Sequence, residues 1–154
     1  MNQLYILLRI YEQDYGSLPK ITPEGGNGVR DLYPLYSSGI LPDEALSLLQ
    51  PPGAALRPLR DPSTNDFNRH TIGYSYNSTA RLDDPGNPPL LAAQGVSSGR
   101  LRLNTKDRSI KPLHYKGALV LFADGTVEFI PVVNERGELS TSKVSLEEWE
   151  LLKD

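Results

Sequence analysis

The chain contains no cysteine. This excludes a disulfide framework, a thiolate zinc site and a cysteine nucleophile, but leaves the compartment open, because many exported domains carry no disulfide. No run of about 18 apolar residues is present, and no basic leader precedes an apolar core and a small-residue cleavage site, so the chain as given reads as soluble. Charge of one sign is scarce as well. Lys and Arg number 16 against 19 Asp and Glu, a formal net charge of −3 with no like-charge run, which makes nucleic acid and anionic membrane surfaces poor partners. The two histidines, His70 and His114, lack the His-x-x-x-His or His-Glu-x-x-His spacing of a catalytic zinc site. Internal repeats and low-complexity tracts are absent too.

What is present fits one domain. A chain of 154 residues is long enough to bury a core without disulfides or metal. Thirteen Gly and 13 Pro against 38% hydrophobic residues describe a loop-rich fold well short of disorder. Leu4, Leu7, Leu8, Tyr11 and Tyr15 recur at i, i+3, i+4, i+7 and i+11, which predicts an amphipathic helix over residues 1–16 with that stripe packed on a body and Arg9, Glu12 and Gln13 on the opposite face. Gly16 and Pro19 end it.

Residues 17–112 read as a loop-rich middle. Short helices are predicted at Val29 to Tyr36 and, with Pro at its start and acids in its first turn, from Pro42 to Leu49. Strands are predicted at Thr71 to Ser78 and Pro89 to Ala93, the second buried on both faces. Arg100 to Pro112 is polar. At the C-terminus, Ser145 with Glu148 forms a capping box and Val144 with Trp149 a hydrophobic staple, which predicts a short helix over 145–153.

The strongest local signal runs from His114 through Ala118-Leu119-Val120-Leu121-Phe122-Ala123-Asp124-Gly125-Thr126-Val127-Glu128-Phe129. Two β-forming runs flank an Asp-Gly pair that tolerates positive φ. The pattern predicts a hairpin within residues 113–131, its strands spanning 118 to 131, with Asp124-Gly125 as a tight turn of type I′.

A His followed nine residues later by Asp-Gly, within Leu121-Phe122-Ala123-Asp124-Gly125, resembles a C-terminal signature of bacterial prepilin-like proteins, the family of type IV pilins and type II secretion pseudopilins. The opening from Asn2-Gln3-Leu4 through Tyr11-Glu12-Gln13-Asp14-Tyr15-Gly16-Ser17-Leu18-Pro19 is similar to the second half of a pilin's long N-terminal helix and its exit, and Gly73-Tyr74-Ser75-Tyr76-Asn77 to a mid-domain strand of that family. The resemblance implies an α+β pilin-like fold, an N-terminal helix packed on a small antiparallel sheet. It also implies a subunit that works by filament assembly in secretion or in surface appendages, with like or other pilin-like subunits as partners and no reaction. It further implies a hydrophobic segment ahead of this chain that anchors the protein in the inner membrane, with this domain in the periplasm or outside the cell. An alternative is a secreted glycan- or protein-binding module that uses the loops from 78 to 112 on the same scaffold.

Four sets of residues invite chemistry. His114 and Asp124 suggest an acid-base pair, yet ten extended steps span up to roughly 33 Å, so the structural reading has Asp124 making the turn and His114 bonding at the strand entry. Gly95-Val96-Ser97-Ser98-Gly99 matches the Gly-x-Ser-x-Gly elbow of serine hydrolases, but strand-like alternation follows it where a helix is required. Gly25-Gly26-Asn27-Gly28 lacks the preceding strand of a phosphate cradle. Asp61, Asp66, Asp83 and Asp84 offer hard oxygen ligands, and some pseudopilins hold calcium, but none of the four lies in an Asp-x-Asp-x-Asp-Gly loop. No cofactor is expected, with calcium as the only candidate.

Overall fold

The computed structural model describes residues 1–50, 56–93, 96–97, 100–101 and 116–153. The chain opens with helix α1, Asn2–Tyr15, which ends where Gly16 turns left-handed (φ 76°) and donates its amide to the Glu12 carbonyl at 2.7 Å. Leu4, Leu8 and Tyr11 are buried and Leu7 is half-buried, as their spacing predicts. Tyr15 departs from that stripe. It is 56% exposed, because the chain leaves the helix at the next residue and Leu18 fills the core instead; its ring stacks on Tyr11 at 4.4 Å.

A 3-10 turn at Gly28–Leu32 runs directly into helix α2, Tyr33–Ser37, whose second position is Pro34. There the missing proline N–H has no intrahelical acceptor to lose, so Pro34 opens the helix rather than interrupting it. The segment expected as a helix from Pro42 is a 3-10 helix, Asp43–Leu49, with Pro42 as its N-cap.

Strands β1 (Tyr74–Tyr76), β2 (Pro89–Ala93), β5 (Gly117–Phe122) and β6 (Val127–Pro131) form a four-stranded antiparallel sheet in that order. Between β2 and β5, strands β3 (Val96–Ser97) and β4 (Arg100–Leu101) pair in a separate two-stranded ladder. The strand expected over Thr71–Ser78 shrinks to three residues, because the amides of Thr71 and Ile72 both turn back onto the Asn68 carbonyl.

Alternation along β5 separates two cores. Leu121, followed by Ala123, faces α1 and packs with Leu4, Leu8, Tyr11, Leu32, Leu35, Leu49 and Phe67. Ala118, Val120 and Phe122 face the other way, toward Ile130, Leu139, Val144, Trp149 and Leu152. Strand β2 lies between β1 and β5 and is covered on both sides, so all five of its residues are buried. A register shift between Pro89 and Leu91 leaves Leu90 without a partner residue on β5, which lets Leu90 and Leu91 join the same core.

The second core is closed by α3, Leu146–Leu151. Ser145 Oγ accepts the Glu148 amide at 3.2 Å and the Glu148 carboxylate accepts the Ser145 amide at 2.7 Å, so the capping box is complete. The helix is shorter than expected. Lys153 leaves it to exchange backbone hydrogen bonds with Tyr76 at 2.8 and 3.2 Å, fastening the C-terminal segment to the edge of β1.

Candidate assembly surface

The Asp-Gly motif has a structural use that begins in its backbone. Phe122 N–H donates to the Thr126 carbonyl at 2.9 Å and Gly125 N–H to the Phe122 carbonyl at 3.0 Å, enclosing Ala123, Asp124 and Gly125. Only Gly125 has positive φ (87°), so this is a three-residue loop with a glycine bulge and not the expected type I′ turn, which needs positive φ at two adjacent positions. Asp124 keeps a negative φ, and its carboxylate is committed locally. Oδ1 accepts the Thr126 hydroxyl at 2.6 Å and the Thr126 amide at 2.8 Å. Those two bonds, hydroxyl first, hold the Asp124 carboxyl below the usual carboxylate range.

Gly125 is also where α1 meets the hairpin. A Cβ at that position would lie 2.6 Å from the Tyr5 ring, closer than carbon atoms pack, and Tyr5 Oη donates to the Ala123 carbonyl at 3.1 Å. Any other residue there would both strain the backbone and displace Tyr5. The turn therefore serves as a seat for the first turns of the helix.

Held this way, α1 turns a second face outward. Ile6 is 56% exposed and Ile10 41%, one turn apart, flanked by exposed Gln3, Arg9, Gln13 and Asp14. The outer face is thus not the polar face that Arg9, Glu12 and Gln13 suggest. Ile6 and Ile10 in a helix whose inner face is already apolar were the available signal, since a helix apolar all round is normally covered on more than one side.

The glycine loop is occupied by the protein itself. Asp31, fully buried, accepts Ile21 N at 2.9 Å and Asn27 Nδ2 at 3.2 Å on one oxygen, and Asn27 N at 2.9 Å and the Ser78 hydroxyl on the other. Ser78 Oγ in turn accepts Gly26 N at 2.7 Å. Of the amides that would cradle a phosphate, Asn27 N is directed at the internal carboxylate, Gly26 N at the Ser78 hydroxyl bound to it, and Gly25 N at the Thr22 carbonyl. The left-handed glycines Gly25, Gly26 and Gly28 let the loop wrap the carboxylate. Nearby, burial and then the Asp31 charge push the Tyr76 phenol well above its usual range; its Oη donates to the Pro19 carbonyl at 3.2 Å. Sequence reading missed this network, because Ser78 lies 47 residues from Asp31 and no local motif joins them.

The acids considered for calcium serve separate local features. Asp66 caps a 3-10 turn through the Ser63 hydroxyl and amide, whose bonds lower its pKa; Asp83 pairs with Arg81 at 3.3 Å; Asp84 accepts Gly86 N at 2.8 Å; and Asp61 is a left-handed turn residue (φ 43°). Among the described residues no three His, Cys, Asp or Glu side chains group as metal ligands. Ser97 lies in β3 and pairs with Arg100 of β4, a hairpin where a hydrolase elbow needs a helix, while Gly95, Ser98 and Gly99 lie outside the described residues. His114 also lies outside them, as do residues 102–112 of the loops considered for ligand binding. A cleft of about 560 Å³ beside the end of α1 is lined by Glu12, Lys20, Glu24, Arg81 and Asp83, side chains of both signs. No helix among the described residues is long and apolar enough to cross a membrane. No protein-family model, curated protein or solved structure matches the chain.

Proposed function

We propose that this chain is the head domain of a pilin-like or pseudopilin subunit, which works by assembly and not by catalysis. The observation that carries the reading is the double-sided helix: α1 is seated by its inner face on the sheet and by Tyr5 on the hairpin turn, yet presents Ile6 and Ile10 on its outer face. Exposed apolar residues scattered singly need no explanation, but a pair one turn apart on a rigidly held helix is a packing surface.

Fully burying an isoleucine contributes about 1.5–3 kcal/mol, and association of free molecules costs about 4–15 kcal/mol. This stripe is too small to hold two free domains together. It suits subunits that are already concentrated side by side, as an anchoring segment upstream of Met1 would make them. The reading therefore expects an apolar helical segment in the native reading frame ahead of Met1, continuous with α1.

The test is assembly of the full-length protein carrying Ile6→Asp or Ile10→Asp. Both positions are exposed, so the melting temperature of the domain should stay near that of wild type while filament yield falls to background. Filaments at wild-type yield from Ile6→Asp/Ile10→Asp would remove the proposal.

A further inference from the structure

We infer that the cleft at the C-terminal end of α1 is a binding site for a neutral oligosaccharide, with Tyr15 as its stacking platform. The site is separate from the Ile6 and Ile10 face and does not depend on assembly.

The cleft, of about 560 Å³, has the size of a small-molecule site. Three segments build its wall: Glu12 comes from α1, Lys20 and Glu24 from the loop that follows it, and Arg81 and Asp83 from the loop after β1. That last loop opens the 78–112 region which the sequence nominates for ligand binding. Arg81 and Asp83 neutralise each other, Nε to Oδ1 at 3.3 Å and Nη2 to Oδ2 at 3.4 Å. Glu12 commits Oε1 to the Leu82 amide at 3.3 Å. The side chains of Lys20 and Glu24 have no hydrogen-bond or ion-pair partner among the described residues.

An anion in this cleft would meet Glu12 and Glu24, and a cation would meet Lys20. A hydroxyl group escapes both penalties, because it donates to a carboxylate while it accepts from an ammonium or a guanidinium. Neighbouring hydroxyls on a sugar ring repeat that double role, so acids and bases interleaved along one wall match a sugar better than they match any ion.

Tyr15 supplies an apolar platform beside these polar groups. Its ring stacks on Tyr11 at 4.4 Å with the planes 23° apart, so one face is backed by a buried ring while the residue stays 56% exposed. Tyr15 is three residues after Glu12, hence its neighbour on the helix surface, and it directly precedes Gly16, which lines the cleft. A ring held from behind loses little freedom on binding, and its open face can pack on the C–H face of a pyranose. The flattest such faces belong to β-1,4-linked glucose and N-acetylglucosamine, whose ring substituents are all equatorial. On this account Tyr15 leaves the buried stripe of α1 in order to meet a ligand.

The experiment titrates the 154-residue chain with cellotriose and with chitotriose and follows amide chemical shifts. At millimolar sugar the amides of residues 15–17, 20 and 79–83 should move, and those of residues 6–10 and 146–151 should not. Tyr15→Ala should weaken binding about ten-fold, Tyr15→Phe should retain it, and Glu12→Gln and Lys20→Met should each weaken it several-fold. Tyr15 is exposed, so the melting temperature of Tyr15→Ala should stay near that of wild type, which separates lost binding from lost fold. No shift with either trisaccharide, shifts confined to other parts of the chain, or undiminished binding by Tyr15→Ala would overturn the inference. Tighter binding of trigalacturonate or of the dipeptide Gly-Gly in the same cleft would overturn it too, since charge and not hydroxyl pairing would then select the ligand.

Discussion

On the α1 side of the sheet, side chains mostly from the first two thirds of the chain pack beside a buried carboxylate whose two oxygens each accept two hydrogen bonds; on the other side, mainly the C-terminal segment packs around an indole whose N–H has no hydrogen-bond partner among the described residues. Trp149 is as buried as Asp31, so the two groups differ in satisfaction and not in depth. The first side is specified by directional bonds that reach across the sequence from Ile21 to Ser78. The second is specified by shape, with a capped six-residue helix laying one large ring on β5 and β6. A polar group in a core defines a loop only when every partner is present; an unpartnered one adds nothing to specificity and leaves a cost behind.

Removing the central group of each side is the most direct way to break this contrast. Asp31→Ala strips a buried network of its acceptor, leaving the Ile21 and Asn27 amides and the Ser78 hydroxyl unpaired, and should cost about 3–5 kcal/mol in urea unfolding. A cost below about 1 kcal/mol would mean that the glycine loop is held by something else. Trp149→Ala should cost a comparable amount, about 3–5 kcal/mol, through the cavity it leaves. The sharper arm is Trp149→Phe, which removes an N–H that has no partner among the described residues, along with one ring, and should cost less than half as much as Trp149→Ala.

The seat of α1 comes next. Gly125→Val forces a β-branched residue into positive φ and should destabilise by about 1–3 kcal/mol, while Asp124→Asn, already at negative φ, should fold nearly normally. Gly125→Ala should be less costly when Tyr5 is also Ala than when it is Tyr, a coupling of about 0.5–3 kcal/mol readable from a double-mutant cycle. Additive values would show that the close approach of ring and turn carries no strain. Tyr5→Phe, which keeps the ring and deletes only the bond to the Ala123 carbonyl, should cost about 0.5–1.5 kcal/mol.

The smallest effect is one of pH. Asp124 has a folded-state pKa lowered by the Thr126 hydroxyl and amide. Its contribution is therefore full above the unfolded carboxylate pKa of about 4 and is lost as pH falls through the lower folded value. Wild type should lose slightly more stability than Asp124→Asn in that acid window and track it at neutral pH. Parallel curves through the window would show that the carboxylate is solvated, with its turn bonds contributing nothing.

How far the sequence anticipates this structure depends on the range of the interaction. Helix α1, the 117–131 hairpin and the α3 capping box follow from spacings of two to five residues, and each is legible in the sequence. The class of the hairpin turn is not. Asp-Gly tolerates two different loops, and the choice between them is made by Thr126 and by Asn87, whose Oδ1 accepts the Asp124 amide from 37 residues away. Tyr15 fits the helical stripe but lies beyond it in space, because periodicity does not mark where a packing surface ends. The Gly25–Gly28 loop shows a nest for an anion without showing that the anion is Asp31. The exposed Ile6 and Ile10 were visible as letters and hidden by the habit of reading a helix as having one apolar face.

The bond between Tyr5 and Ala123 joins residues 118 positions apart, and that distance sets the order in which the molecule can form. Helix α1 leaves the ribosome before the hairpin does, and its dock is not synthesised until the hairpin is complete. In the interval its inner leucines and outer isoleucines are exposed together, so the nascent chain carries a helix that is sticky all round. Closing so long a loop early is entropically unfavourable, which makes docking of the helix a late folding event. In this period the chain is most vulnerable to misassociation or most in need of a holding partner, and a surface suited to assembly in the finished protein is a hazard while the protein is being made.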